Sequence, residues 1–419
     1  LRRDGELDSI FLIEDPYFRI VDDVFKVDQV VWGNPPQETS TLLYRQELIA
    51  RYRGKLRIDS ETAYDSLVAQ LEPLQAMPML REENGQQEIA LVRRIEETRP
   101  SRPWINLVLF VLTVFSVLFA GAIYVFEGPA PEGFLSTIMA VLGNLASGIP
   151  FAVGLLSILL AHEFGHYLAG RYHGAQVTLP YFIPFPLSIL GTMGAFIQLK
   201  SPTKNKKALF DLGAAGPLAG LAVAIPVLLI GLSLSELDRI PLFARPGEGF
   251  TIEGNSALYL AAKYLIFGEL LPAPLTYAQT DPLLFWVRYF FTGNPTPFGA
   301  TDVIIHPLAW AGWAGLLVTA INLIPAGQLD GGHIIYTLFG RKRARAIWPL
   351  VIGALLVLGF VWPWWWLWAG LIFVLGRFYA EPMDQITPLN RRRKLLALLS
   401  ILIFFLVFTP VPLRVIGAF

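Results

Sequence analysis

Residues 158–170 read ILLAHEFGHYLAG and place two histidines and a glutamate inside an otherwise apolar run. In a helix, His162 and His166 lie one turn apart on the same face, so both rings can reach one ion. Glu163 lies beside the first ring and can accept a proton from a water that the ion activates. This HExxH spacing is typical of a catalytic Zn²⁺ site, although it also occurs by chance in helices.

The surroundings of the motif favour the metal over chance. The 419 residues are 54% hydrophobic and only 16% charged, which is typical of a polytopic membrane protein. An ionisable side chain inside a membrane span costs about 2.5–3.5 kcal/mol on insertion scales, and a bound metal offsets that cost. The net charge of zero gives no electrostatic case for nucleic acid, and the absence of cysteine excludes Cys-based metal sites and nucleophiles.

The distribution of apolar residues predicts the fold class. We expect an α-helical polytopic membrane protein with about 6–7 transmembrane helices and a small N-terminal α+β soluble domain. Apolar segments follow residue 102 at 103–126, 134–170, 208–234, 303–326, 346–361, 363–380 and 395–417. The 134–170 segment is too long for one crossing, so we expect a span at 148–172 and an interfacial approach at 134–147. The tryptophan-rich residues 362–368 suit a turn at the membrane interface.

Residues 1–102 are polar enough to form the soluble domain. The spacing of Tyr64, Leu67, Val68 and Leu71 predicts a helix that Asp59 or Ser60 could cap. The stretch at 51–58 is strand-like, and Asn84-Gly85 predicts a hairpin turn. The first fifty residues show little periodicity and suit an extended arm.

Basic clusters predict the orientation of the spans. With 346–380 as a hairpin, all four clusters fall on one side, so the N-terminus and the 1–102 domain are expected inside. The clusters are Arg93/Arg94/Arg99/Arg102, Lys204/Lys206/Lys207, Arg341/Lys342/Arg343/Arg345 and Arg391/Arg392/Arg393/Lys394. The transmembrane domain at 103–419 then comprises the HExxH span 148–172, a span 208–234, a span 303–333 that carries the LDG motif (residues 329–331), and C-terminal spans 346–417. The connections are a loop at 181–206, called the substrate-strand loop for the edge strand discussed below, and an outer loop at 235–302.

Two histidines leave a third metal ligand to be found. A thermolysin-like site would take it from a following glutamate, but no acidic residue lies between His166 and Asp211. His173 shares the helical face of His166, yet it lies about 10 Å further along and could bind the same ion only if the helix broke at Gly170. We therefore interpret His173 as a hydrogen-bonding or interfacial residue.

Asp330 is the better candidate for the third ligand. It lies between an apolar run and a basic cluster, so the predicted topology puts it at the same depth as the two histidines. The alternative is an ordinary cap or turn aspartate. His333, three residues later, could orient Asp330 through a hydrogen bond. His306 is expected on the outer side and far from the metal.

The two motifs together resemble the site-2 protease family of intramembrane zinc metalloproteases. HEFGH lies in one span and the run Asn322-Leu-Ile-Pro325-Ala-Gly-Gln-Leu329-Asp330-Gly331 in a later one. The stretches 184–202, 211–220 and 306–333 are similar to the cyanobacterial and chloroplast branch, the gravitropism-deficient and yellow-green type. The resemblance is strong over about 150–340 and looser elsewhere.

The resemblance implies a role for each site residue. His162, His166 and Asp330 would bind one Zn²⁺ per chain, Glu163 would be the general base, and Asn322 would help to hold substrate or oxyanion. The activity would be zinc-dependent endopeptidase cleavage of transmembrane protein substrates within the lipid bilayer. The membrane would be a cyanobacterial plasma or thylakoid membrane, or a chloroplast membrane.

A helical substrate must be unwound before cleavage, because its backbone is hydrogen-bonded internally. Residues 191–202, GTMGAFIQLKSP, could offer an edge strand that pairs with the unwound segment, or could be an ordinary membrane-dipping loop.

Two other functions are compatible with the motifs. A polytopic zinc transporter would use His and Asp in a transit path, but five histidines show no repeated ligand pairs, and Glu163 would be unnecessary. An inactive, protease-like membrane scaffold is disfavoured by the intact motifs.

Overall fold

The computed structural model describes residues 15–32, 48–83, 85–93, 102–126, 133–243, 249–277 and 280–417. The chain divides into two compact units. The first comprises Leu1–Pro100, Lys200–Leu209 and Ala380–Arg393, and the second comprises Ser101–Leu199, Phe210–Tyr379 and Lys394–Phe419.

The first unit is a four-stranded antiparallel sheet with two helices. The sheet has the order β1-β2-β4-β3, and its core is formed by side chains such as Tyr52, Leu67 and Leu80. The elements are α1 Phe18–Val24, β1 Phe25–Trp32, β2 Leu48–Leu56, α2 Ser60–Leu71, β3 Ala76–Glu83 and β4 Gln86–Arg93. The Asp59 side chain accepts hydrogen bonds from the backbone of Glu61 and Thr62, which fixes the start of α2.

Two later segments complete this unit. The backbone N–H of Leu80 in β3 donates to the carbonyl of Met383, and that of Gln385 donates back to Leu80. On its other side the same segment pairs with residues 203–204. The β3 edge of the sheet is therefore covered by chain from residues 380–393 and 200–209, which lie outside the predicted 1–102 range.

The N-terminal predictions were right for the helix and strands and wrong for the arm. The predicted helix and the strand at 51–58 correspond to α2 and β2, and β3 pairs with β4 as a hairpin, with Asn84 outside the described residues. Residues 18–32 form a helix and a strand, not an extended arm. The rest of that arm, 1–14 and 33–47, lies outside the described residues.

The second unit is mostly helical. Three helices of the described chain are long and apolar enough to cross a membrane: Pro103–Tyr124, Leu145–Tyr172 and Lys206–Ser233. The helices are α3 Pro103–Tyr124, α4 Phe134–Gly143, α5 Ile149–Tyr172, α6 Lys206–Ser233, α7 Ala257–Phe267, α8 Pro282–Thr292, α9 Pro307–Asn322, α10 Asp330–Phe339, α11 Arg341–Gly359, α12 Trp364–Leu375 and α13 Arg391–Val407. The predicted approach at 134–147 is the separate short helix α4.

Three two-stranded sheets join the loops of this unit. The strands are β5 Tyr181–Pro184, β6 Thr192–Phe196, β7 Glu236–Arg239, β8 Gly249–Glu253, β9 Thr301–Ile304 and β10 Leu413–Gly417, and the pairs are β5-β6, β7-β9 and β8-β10. One apolar core contains Val117, Phe151, Leu228 and Trp313, from helices α3, α5, α6 and α9.

The later apolar segments form shorter helices than the hydropathy suggested. The 303–326 run gives a 16-residue helix, α9, because β9 occupies its first residues and the helix ends at Asn322. The 395–417 run gives a 17-residue helix followed by β10. The segments at 346–361 and 363–380 form two helices, α11 and α12. The turn between them lies at 360–363, and residues 364–368 begin α12, so the predicted turn at 362–368 is wrong for its last five residues.

The buried hydroxyl of Tyr52 makes a testable contribution to the first unit. Tyr52 is fully buried and donates a 2.7 Å hydrogen bond to the buried carboxylate of Asp15. Burial, followed by the Asp15 carboxylate, raises the pKa of Tyr52. We expect Tyr52→Phe to destabilise this unit by about 1–3 kcal/mol, because Asp15 loses its buried donor.

The measurement is the urea concentration at which trypsin begins to cut the N-terminal region of the full chain in detergent. Tyr264→Phe is the control, because the Tyr264 side chain is exposed. An unchanged midpoint for Tyr52→Phe would contradict the assignment.

Candidate metal centre

Helix α5 carries both histidines of the motif on its buried face. His162 and His166 are 4% and 7% exposed, and their Nε2 atoms lie 3.1 Å apart. The helix also buries Leu155, Ile158 and Leu159 in the apolar core. The two rings therefore meet in surroundings of low polarity, where unpaired polar atoms are costly.

A backbone carbonyl fixes the tautomer of His166. Its Nδ1 lies 2.7 Å from the carbonyl oxygen of Leu212 in α6. Since a carbonyl can only accept, Nδ1 carries the proton and the Nε2 lone pair points towards His162. This arrangement orients an imidazole for metal binding.

Asp330 reaches the same point from the first turn of α10. Its Oδ2 lies 3.5 Å from Nε2 of His162 and 3.4 Å from Nε2 of His166. The glycines after it permit this position, because a Cβ on Gly331 or Gly332 would overlap the backbone of the preceding turn, 323–327. Asp330 is not the cap of α10, because that position is occupied by Leu329.

The three atoms fit a tetrahedral metal. Zn–N and Zn–O bonds of 2.0–2.1 Å at tetrahedral angles separate neighbouring ligand atoms by about 3.3 Å. The observed separations of 3.1, 3.4 and 3.5 Å bracket that value. Among the described residues, these three side chains form the group of His, Asp or Glu that could hold a metal ion. Two neutral imidazoles and a carboxylate are a donor set that suits Zn²⁺.

The two other predicted site residues, Glu163 and Asn322, lie on α5 and α9. Glu163 is 5% exposed and close enough to both histidines and Asp330 for its charge to interact with all three. Asn322 is the last residue of α9 and is half-buried, eight residues before Asp330.

The remaining histidines have separate roles. His173 caps the end of α5, and its Nε2 lies 2.7 Å from Oδ2 of Asp211, so it is hydrogen-bonded, as expected. Nδ1 of His306 accepts a hydrogen bond from the Leu308 backbone at the start of α9. His333 is buried, but its Nδ1 has no hydrogen-bond partner among the described residues, so the expected bond to Asp330 is not made through that atom.

The sequence analysis missed the role of the small residues in α6. Gly216 lies directly against the ring of His166, and a Cβ there would overlap Nε2. Gly220 lies close to His162, where an added Cβ would make a tight contact at 3.2 Å from the His162 Cβ rather than an overlap. Small residues on a helix allow close packing with a neighbour, and here Gly216 and Gly220 pack on the two motif histidines, while Gly213 packs on His333. The spacing of four between Gly216 and Gly220 matches that between His162 and His166, which is the signal that could have shown it.

The predicted substrate-strand loop contains a β-hairpin, β5-β6. Asn106 in α3 donates to the carbonyls of Leu179 and Pro180, and the Phe110 and Phe182 rings pack edge to face. In the described part of the chain, β6 pairs on one side only. Met193 and Phe196 in β6 are exposed, so the hairpin has an open edge beside apolar side chains.

Comparison with known proteins gives consistent matches. The model of peptidase family M50 matches residues 150–360. The "Probable zinc metalloprotease EGY1, chloroplastic" of Oryza sativa subsp. japonica is 31% identical over 395 residues, which is 86% of this chain and 62% of that protein. The protein of the same name in Arabidopsis thaliana is 31% identical over 77% of this chain and 56% of its own length.

A more distant relative extends the same pattern. The "Probable zinc metallopeptidase EGY3, chloroplastic" of Arabidopsis thaliana is 29% identical, over 76% of this chain and 51% of its own length. The chain thus spans about half to three fifths of the curated relatives that it matches. No solved structure matches this chain.

The packing of Gly216 on His166 can be tested directly. We expect Gly216→Ala to displace the His166 ring and to lower the metal content well below one ion per chain, measured by elemental analysis of protein purified with Zn²⁺. Gly353→Ala is the matched control, because Gly353 is also helical but has nothing within 4 Å of the added Cβ. Full metal content in Gly216→Ala would contradict the interpretation.

Proposed function

The chain belongs to peptidase family M50, and we propose that it is an intramembrane zinc endopeptidase that cleaves transmembrane segments of other proteins. The observation that carries the proposal is the convergence of His162, His166 and Asp330 within an apolar helical core. Two distant helices contribute these ligands, which a chance HExxH motif would not require. The zinc metalloprotease names of the relatives support the same activity.

His162, His166 and Asp330 would hold one Zn²⁺. When bound there, Zn²⁺ supplies a Lewis acid that makes water a better nucleophile and polarises the scissile carbonyl. The protein supports the ligands through the bond from His166 Nδ1 to Leu212 and through the glycines that leave room for the rings.

Glu163 would act as the general base. It follows His162 directly, is buried, and lies near all three ligands. It would accept a proton from the attacking water and transfer it to the leaving amine, so that the amine departs neutral.

Asn322 would hydrogen-bond the substrate or the oxyanion that develops during attack. Its side-chain amide can donate two hydrogen bonds, and a donor aimed at developing negative charge stabilises the transition state more than the ground state. The short turn between Asn322 and Asp330 supports this role, because it keeps the amide on the chain segment that also carries a ligand.

The β5-β6 hairpin would receive the substrate. A helical segment that unwinds for cleavage loses its internal hydrogen bonds, and the free edge of β6 can replace them. The exposed Met193 and Phe196 would contact the substrate side chains. The partners are therefore transmembrane protein substrates and the lipid bilayer.

The protein would be an integral, multi-pass membrane protein. Three described helices have spanning length, and α9, α13 and the pair α11 and α12, counted as one span or two, would bring the total to six or seven spans in a locally thinner bilayer. The N-terminus would lie inside, which the positions of the basic clusters support. The membrane would be a cyanobacterial plasma or thylakoid membrane, or a chloroplast membrane, and the word "chloroplastic" in the names of the relatives supports the last of these.

Substitution of the base separates catalysis from metal binding. We expect Glu163→Gln to retain one Zn²⁺ per chain and to lower cleavage of a model transmembrane substrate by at least about 100-fold, because the amide cannot accept the proton. Metal analysis and a gel-based cleavage assay in detergent measure both quantities.

His166→Ala provides the comparison, since it should lose metal and activity together. A zinc transporter or a scaffold would be little affected by Glu163→Gln. Substantial cleavage by Glu163→Gln would therefore contradict the proposed mechanism.

The role of Asn322 has its own prediction. If the amide stabilises the oxyanion, Asn322→Ala should lower kcat by about 100-fold or more with little change in KM. If it mainly holds the substrate, KM should rise with kcat retained. If Asn322→Ala alters neither kcat nor KM, Asn322 has no role in the reaction. Asn390→Ala is the control, because Asn390 lies in the first unit at the start of α13.

A further inference from the structure

Helix α7 exposes apolar side chains and buries its charged one, which is the reverse of a helix in water. Its exposed side chains are all apolar or aromatic: Ala257, Ala261, Tyr264, Leu265 and Ile266. Leu265 is 72% exposed, whereas Lys263, the one charged residue of the helix, is fully buried. In water a lysine faces the solvent and a leucine faces the core, so this distribution indicates apolar surroundings.

Buried groups compensate the charge of Lys263. Its Nζ lies 3.6 Å from Oδ1 of Asp302 and 4.6 Å from the centre of the Tyr259 ring. The Tyr259 hydroxyl donates to Glu253, which is also buried. A charge turned inwards towards acidic and aromatic partners is the arrangement expected of a helix whose outer face touches hydrocarbon.

The helix also packs on the spanning helices. Tyr259 and Ala262 belong to the same buried cluster as Val117 in α3, Phe151 in α5 and Leu228 in α6. The buried faces of α7 and of those helices therefore meet in one apolar core, and their exposed faces lie on its outside. The caps of α7 satisfy one backbone group at each end, because Ser256 accepts from Tyr259 and Gly268 donates to Tyr264.

The length of α7 decides how far it can enter. Its 11 residues extend about 16 Å, close to half the hydrocarbon thickness of about 30 Å. The helix is thus too short to cross the bilayer and long enough to occupy one leaflet.

We propose that α7 is inserted in one leaflet of the bilayer, with Ala257, Ala261, Tyr264 and Leu265 in contact with lipid acyl chains. This differs from the sequence prediction, which assigns 235–302 to an aqueous outer loop. The proposal rests on the membrane location given under the proposed function, and not on the protease activity.

The absence of cysteine makes the test direct. Single cysteines at Leu265, Leu112 and Asp238 are labelled with a nitroxide, and the full chain is reconstituted in phosphatidylcholine vesicles. Leu112 is an exposed residue of the spanning helix α3, and Asp238 is an exposed residue of β7. Electron paramagnetic resonance then gives the ratio of collision rates with oxygen, which concentrates in lipid, and with a water-soluble nickel chelate.

We expect the ratio at Leu265→Cys to match that at Leu112→Cys and to exceed that at Asp238→Cys several-fold. A label at Tyr264→Cys should give the same result as Leu265→Cys. A ratio at Leu265 equal to that at Asp238 would place the helix in water and overturn the proposal.

Two other outcomes would also overturn it, for different reasons. Low collision rates with both reagents, together with dipolar broadening between labels, would show that a second copy of the chain covers the face. An aqueous ratio at Leu112 itself would refute the membrane location of α3, and would do so independently of any loss of peptidase activity.

Discussion

The candidate site depends on the close contact between helices α5 and α6. The Leu212 carbonyl holds Nδ1 of His166, and Gly216 leaves the space that the ring occupies. Without the carbonyl the ring could rotate, and without the glycine it could not enter. His173 and Asp211 add a second polar link between the same helices, one to two turns away. The positions of the candidate metal ligands therefore follow from the packing of backbone against side chain, which is sensitive to single methyl groups.

The three side chains that the structure brings together were easier to select from the sequence than the groups that support them. His162, His166 and Asp330 could be selected because imidazoles at a spacing of four and an aspartate at matching depth are costly in an apolar core unless they share a function. The Leu212 carbonyl could not be selected, because every residue has one and only the fold determines which is free to accept. The contact of Gly216 with His166 was less hidden: a small-residue run alone predicts close packing but not its partner, yet the four-residue spacing of Gly216 and Gly220 matches that of the two histidines.

Secondary structure was predictable where the chain is long and periodic. The three long apolar helices and α2 followed from hydropathy and spacing. The prediction failed at Phe18–Val24, because a seven-residue helix gives less than two turns of pattern. It also overextended the 303–326 run, in which a strand and a helix are both apolar. The pairing of residues 380–393 with β3 joins residues some 300 positions apart, and no local signal indicates such a contact.

Buried charge has two different explanations in this chain. The candidate metal ligands direct their lone pairs at one another, so a bound cation would remove the repulsion between them. At Lys263 the side chain itself carries the positive charge, and Asp302 and the Tyr259 ring are its partners. Asp302 lies in β9, which leads into α9, and Trp313 of α9 donates to the carbonyl of Gly254, just before α7. A helix inserted in lipid would therefore be held at its start by α9, which ends at Asn322, and through Lys263 by the strand that leads into α9.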